Sequence, residues 1–236
     1  KRKIRNRLLD AGENIFVQSD DKNTDGYKSL KARAEANEAF GAELKNGKKA
    51  DAQRGYEIAC KEWMDVRSFG QVFAFKGSEL SLGIRGPVSV QPAFSVDPID
   101  ITSMQITKSV NSESGKESKA SDTMGTKHRV GFAVYKVMGS VNVQLAEKTG
   151  FNQEDAEVLK EALKTLFEND ASSARPEGSM EVCKMYWWQH DEKTPAVSSG
   201  KIQRGFTIEA KKEHPREFED YEISWDVEGC KQPEEF

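Results

Sequence analysis

The chain has 236 residues, with 35 basic against 39 acidic side chains and a formal net charge of −4. That average is unlike a free-standing nucleic-acid binder, which is usually basic overall, so any nucleic-acid surface has to be local. No apolar run approaches the roughly 18–20 residues that cross a membrane, no signal peptide is visible, and Cys60, Cys183 and Cys230 are too widely spaced for a zinc site or a disulfide framework. Reduced thiols, a cytoplasmic location and no metal or cofactor are the expectation.

The chain opens on K-R-K-I-R-N-R, in which Ile4, Leu8 and Leu9 fall at helical spacing among Lys1, Arg2, Lys3, Arg5 and Arg7. Residues 18–29 form a polar loop. Residues 29–45 are rich in Ala, Lys and Glu and read as helix, with a stop at Asn46-Gly47. A better helix covers about 50–63, with Ala52, Tyr56, Ala59, Cys60 and Trp63 on its buried face. The span 18–63 therefore reads as a helical insertion. Val66, Phe69, Val72, Phe73 and Phe75 predict a strand, as do Val88, Val90, Ala93, Phe94 and Val96, and residues 76–87 between them carry loop chemistry. Each run has an arginine near a glycine, Arg67 before Gly70 and Arg85 beside Gly86. Glycine permits close backbone approach, and a guanidinium matches a phosphate bidentately. On the residues alone, such pairs read more readily as solvated loop ends.

Residues 99–110 read as strand. Residues 111–127 hold almost nothing to bury, and 129–146 return as strand through Val130, Phe132, Val134, Val137, Val141, Val143 and Leu145. Two strands around a polar excursion predict a projecting hairpin over 103–130. The clearest helix follows, with Asn152 as N-cap, Glu154 and Asp155 in the first turn, and a stripe of Val158, Leu159, Ala162, Leu163, Leu166 and Phe167 that runs out by Asn169-Asp170. Residues 179–189 predict a strand on which Trp187 and Trp188 face opposite ways. Ile202–Ala210 and Tyr221–Val227 predict two more. The extension 191–236 ends in an acidic tail, with carboxylates far outnumbering Arg216 and Lys231; it is expected to be solvated or to dock on a basic neighbour.

The order helix, strand, strand, hairpin, strand, helix, strand is compatible with an α+β fold, a ferredoxin-like core carrying insertions, and pattern alone leaves other α+β folds open. The strings D-V-R-S-F-G (65–70) and R-G-P-V-S-V-Q-P-A-F-S-V-D-P-I (85–99), with T-M-G-T-K-H-R-V (123–130), T-G-F-N-Q-E-D-A-E-V-L (149–159) and E-A-L-K-T-L-F-E-N-D (161–170), resemble the backbone subunit of the CRISPR Cascade complex. The likeness is to its subtype I-C form, in the RAMP superfamily, and is strongest from 60 to 190. It implies a ferredoxin-like (RRM-like) core with a helical insertion and a projecting thumb hairpin. It implies as partners a guide CRISPR RNA, a target DNA strand, other copies of the chain and other Cascade subunits, with no membrane. The family places a strand and a Gly/Asn/Pro-rich loop before the first helix, so a preceding segment is expected. The thumb of such subunits folds over the guide and wedges between bases, which points to Met124 as the wedge and to Lys127, His128 and Arg129 as phosphate contacts. Lys1, Arg2, Lys3, Arg5, Arg67, Phe69, Arg85 and Lys108 complete the expected RNA surface, although a phenylalanine such as Phe69 is more often core than a stacking platform.

No catalytic site is expected. His128, His190 and His214 are scattered without ligand spacing, and no local triad forms around His128. Some RAMP relatives cut RNA, so a RAMP-type endonuclease using His128 or Asp122 is the alternative. A protein scaffold without nucleic acid is the third.

Overall fold

The computed structural model describes residues 1–108 and 124–236. Its helices are α1 (Arg2–Asp10), α2 (Leu30–Ala36), α3 (Glu38–Lys45), α4 (Ala52–Glu62), α5 (Met64–Phe69), α6 (Val143–Thr149), α7 (Gln153–Lys164) and α8 (Ser199–Gly205). Its strands are β1 (Gln71–Ala74), β2 (Ser81–Ile84), β3 (Val88–Val90), β4 (Phe94–Ser95), β5 (Ile101–Thr107), β6 (Met124–Val130), β7 (Tyr135–Lys136), β8 (Gly139–Val141), β9 (Tyr186–Trp187), β10 (Phe206–Ala210), β11 (Tyr221–Trp225) and β12 (Glu234–Glu235). Among the described residues every sheet is a two-stranded antiparallel pair: β1 with β2, β3 with β8, β4 with β7, β5 with β6, β9 with β12 and β10 with β11. The class is α+β.

The chain divides into two units. Lys1–Gln91, Gly139–Ile202 and Glu228–Phe236 form the first, and Pro92–Met138 with Gln203–Val227 the second. The first unit has two apolar clusters. In one, the rings of Phe16, Phe40, Trp63 and Phe73 lie 4.7–6.2 Å apart, with Ala34, Leu44, Val66, Leu82 and Ile84 around them. The other joins Ile4 and Leu8 of α1 to Ala156, Leu159 and Ala162 of α7, with Met64, Phe69 and Val88. In the second unit Phe206, Tyr221 and Val227 are buried. There the Tyr221 hydroxyl donates to Asp97 Oδ2 at 2.6 Å.

Several sequence expectations change. The expected strand over 66–75 begins instead as helix α5, and only Gln71–Ala74 is strand. Val66 faces one cluster while Met64 and Phe69 face the other. A helix buried on several sides loses the polar stripe that marks helical period, and a short apolar run is then ambiguous. Gly70, at φ 77°, ends it. The expected loop 76–87 contains strand β2, whose Leu82 and Ile84 are buried while Ser81 and Gly83 are not. The run 88–96 is two short strands in different sheets. Val143 and Leu145, expected in a strand, lie in α6: the Asn142 side chain accepts from Leu145 N–H at 2.9 Å, and left-handed Gly150 closes the helix.

Residues 29–45 are two helices because Asn37 leaves the helical region and caps α3, accepting from Phe40 N–H at 2.9 Å. Helix α7 keeps its expected start, with a capping box between Asn152 and Asp155, but ends at Lys164. Of 179–189 only Tyr186–Trp187 is strand. Residues 199–205 are helical, so the strand expected from Ile202 begins at Phe206.

Candidate nucleic-acid interface

The sequence places its candidate residues on two surfaces, one in each unit. On the first, α1 forms because Ile4 and Leu8 bury against α7, with the neutral Asn6 also buried and Arg5 and Arg7 on its more open sides. Arg5 is half-buried and its Nε donates to Asp65 Oδ2 at 2.7 Å. Asp65 has no exposure, and it also accepts from the N–H groups of Phe16 and Val17 at 2.7 and 3.1 Å. A carboxylate this buried is tolerable because both oxygens accept hydrogen bonds, three in all, one of them from a cation. Arg2 pairs with Asp21 at 2.6 Å on an exposed surface. Lys3 pairs with Asp170, and its ammonium is pushed down by burial and by nearby Arg175 and Arg2. Arg7 reaches Thr165 Oγ1 at 3.1 Å and Asp10 at 3.3 Å.

Phe69 is buried in the α1–α7 cluster. Two cations lie over its ring, Arg5 Cζ at 5.3 Å and Lys1 Nζ at 5.6 Å from the centroid. Arg67, one residue from the buried Val66 and Ser68, turns to α7: Nε and Nη2 both engage Asp155, with contacts of 2.6–3.1 Å. The same Asp155 accepts from Asn152 N–H in the capping box. Arg67 is thus a bidentate tie between α5 and the start of α7. Arg85 is exposed, follows β2, and has no ion pair among the described residues.

The expected basic stripe of α1 is therefore largely neutralised within the chain, by Asp21, Asp170, Asp65 and Asp10. Sequence reasoning missed these carboxylates. Asp10 is local to Arg7, three residues on, but no local signal marks Asp65 or Asp170, since they lie 60 residues from Arg5 and 167 from Lys3.

The second surface is the hairpin β5–β6. Its register pairs Ile101 with Val130, Ser103 with His128, Gln105 with Thr126 and Thr107 with Met124. Opposite residues share a face, and successive residues alternate. Met124, Thr126, His128 and Val130 therefore share one face with Ile101, Ser103 and Gln105. Lys127 and Arg129 share the other with Thr102, Met104 and Ile106. The expected trio Lys127, His128 and Arg129 is split: the two permanent cations are together, and His128 is with Met124. Its Nδ1 lies 2.9 Å from Ser103 Oγ. Both faces are open, with Met124 55% exposed on one and Ile106 51% exposed on the other. Lys108 is also exposed, just beyond β5. Lys116, Lys119 and Asp122 lie outside the described residues. Among the described residues no group of three or more His, Cys, Asp or Glu could hold a metal ion, and no helix is long and apolar enough to cross a membrane.

Trp187 and Trp188 are both half-buried. Trp187 packs against the α1–α7 cluster under the Lys160 ammonium, and Trp188 stacks on Tyr186 at 6.1 Å.

A family model described as CRISPR-associated protein Cas7 matches residues 1–226. No curated protein sequence matches the chain. Among solved structures, a chain of a "CRISPR RNA-guided surveillance complex, pre-nicking" is similar at 18% identity and a TM-score of 0.35. The match covers 72% of this chain and 55% of that one, little more than half its length.

Proposed function

This chain belongs to the family of CRISPR-associated protein Cas7, and from that premise we propose that it is the guide-RNA-binding backbone subunit of a Cascade interference complex, of subtype I-C. Copies lie head to tail along the guide in the cytoplasm, beside other Cascade subunits, and leave base edges free to pair with target DNA. The strings at 65–70, 85–99 and 123–130 support the subtype. A ferredoxin-like core in the first unit is supported by α1 packing on α7 and by β3 pairing antiparallel with β8.

The observation that carries the proposal is the two-faced hairpin β5–β6. It presents an apolar side chain, Met124, on one open face and two cations, Lys127 and Arg129, on the other. An isolated two-stranded hairpin gains little from its own pairing, so its exposed residues suit a partner. As the thumb, it wedges Met124 between bases while Lys127, Arg129 and Lys108 follow phosphates and His128 lines the wedge face. On the first unit, Lys1, Arg2 and Arg85 meet the backbone. Lys3, Arg5, Arg67 and Phe69 hold that surface in place through their internal pairs. The role is non-enzymatic.

Guide RNA of several lengths, titrated across a salt series with light scattering on the same samples, tests this. The expected result is binding that weakens steeply with salt, with mass growing in steps as the RNA lengthens. One copy per RNA at every length overturns the filament. Absence of binding at low salt overturns RNA recognition altogether.

A further inference from the structure

The last strand closes on its own chain. In β12, Glu234 lies opposite Trp187 and Glu235 opposite Tyr186. Met185 and Phe236 extend the ladder, each N–H donating to the other's carbonyl at 3.0 Å. The side chains match as well as the backbone. Lys160 Nζ donates to Glu234 at 2.9 Å, Lys184 pairs with Glu235, and the Lys164 ammonium lies 4.9 Å from the centre of the Phe236 ring. The Lys160 side chain is only 6% exposed. Without Glu234 its ammonium would keep one carboxylate partner, the largely exposed Glu157, and the face of the Trp187 ring. A desolvated cation of this kind strongly favours a carboxylate at that place. The acidic tail thus has a built seat between β9 and α7, selective for an extended acid–acid–aromatic segment.

The lead into that seat is loose. Beyond the buried Val227, residues 228–233 contain neither helix nor strand, Gly229 is at φ 76°, and among the described residues their side-chain ion pair, Lys231 with Asp191, is 67% exposed on both sides. A short strand that fits a groove of its own chain and is joined to the body by an irregular lead is an arrangement from which identical copies exchange an element at little cost, because every contact made in one chain is remade in the other. The strand lies beyond residue 226, where the family match stops.

We propose that the groove between β9 and α7 is a docking site for an acidic extended strand, and that its partner in trans is residues 232–236 of a second copy of this chain. Within one chain the tail closes its own groove, since the effective concentration of a tethered segment is about millimolar. Copies held side by side reach similar concentrations, and the strand then passes from one to the next. The proposal does not depend on what brings the copies together.

Charge exchange tests it on the full chain. Lys160→Glu sets Glu234 against a like charge in its own groove, and Glu234→Lys does the same to Lys160. Each variant is then unable to close on itself, while the tail of the second fits the groove of the first. Native mass spectrometry of the equimolar mixture is expected to show a heterodimer absent from either variant alone. The double variant Lys160→Glu/Glu234→Lys is expected to behave as the wild type. Two variants with wild-type circular dichroism and no heterodimer in the mixture overturn the proposal. Should either fail to fold, a fluorescent peptide of residues 228–236 is titrated into the wild-type full chain. Saturable binding, weakened about tenfold by Gln at both glutamates, is expected; no binding up to about 1 mM overturns the proposal.

Discussion

Gly70 and Gly86 occupy each other's side-chain space. A Cβ on Gly70 would lie 2.2 Å from the Ile84 carbonyl oxygen and 2.7 Å from Gly86 N; one on Gly86 would lie 2.3 Å from the Ser68 oxygen and 2.5 Å from Gly70 N. The end of α5 and the backbone after β2 cross with nothing between them. This contact sets Arg85 beside the segment that carries Arg67 and Phe69. Every obstructing atom is backbone, which cannot swing aside.

Gly70→Ala and Gly86→Ala are each expected to cost about 3 kcal/mol or more, Gly70 also because of its positive φ. Urea unfolding followed by fluorescence measures this. Gly83→Ala is the control: a Cβ there meets nothing within 4 Å, and the change is expected to stay within about 0.5 kcal/mol.

Arg67→Ala leaves Asp155 buried without its guanidinium. A loss of about 3–5 kcal/mol is expected, the usual range when one partner of a buried pair is removed. The salt dependence of RNA binding by the folded variant should be unchanged, because this arginine already faces a carboxylate. A shallower salt slope at intact stability would instead make Arg67 a phosphate ligand.

On the hairpin, the two faces should separate in their response. Lys127→Ala and Arg129→Ala are each expected to reduce the slope of log K against log salt by about 0.7, the share of one phosphate on a single strand. Met124→Ala should leave the slope alone and weaken binding by about 1–3 kcal/mol, the scale of one base stacking contact. Equal slopes for all three variants would contradict the division of labour between the faces.

Burial, followed by the hydrogen bond to Asp97, pushes the Tyr221 hydroxyl up to about 12. The protonated phenol is the neutral form, so the folded state holds this proton more tightly than the unfolded chain does. The stabilisation is fully present below about pH 10, the ordinary tyrosine value, and is lost as pH rises from there through about 12. The difference in urea midpoint between wild type and Tyr221→Phe should therefore be flat from neutral pH to about 10 and shrink above it. A difference that shrinks already below pH 9 would contradict it.

Local physics made some elements legible. Helix α7 could be read because its signals are all within reach of one another: Asn152 caps, Asp155 reciprocates, and Leu159 and Ala162 recur on one side. A strand over 99–110 was legible, but β6 was not: residues 124–128 read as part of a polar excursion, and the strand expected from 129 begins at Met124 and ends at Val130. Helix α6 had its cue in Asn142 and Gly150, outweighed by the strand-like Val141, Val143 and Leu145.

The sequence by itself determined the α+β class, the strongest helix, the hairpin and the strings that carry the family likeness, because each depends on residues within a turn or a strand of each other. Only the tertiary structure decided what the charges do. Arg5 meets Asp65, Arg67 meets Asp155, and Glu234 meets Lys160 across 60 to 88 residues of chain. An ion pair falls off with distance in space and is indifferent to separation along the chain. The same is true of α5, which reads as a strand until two cores close on either side of it and leave it no exposed face.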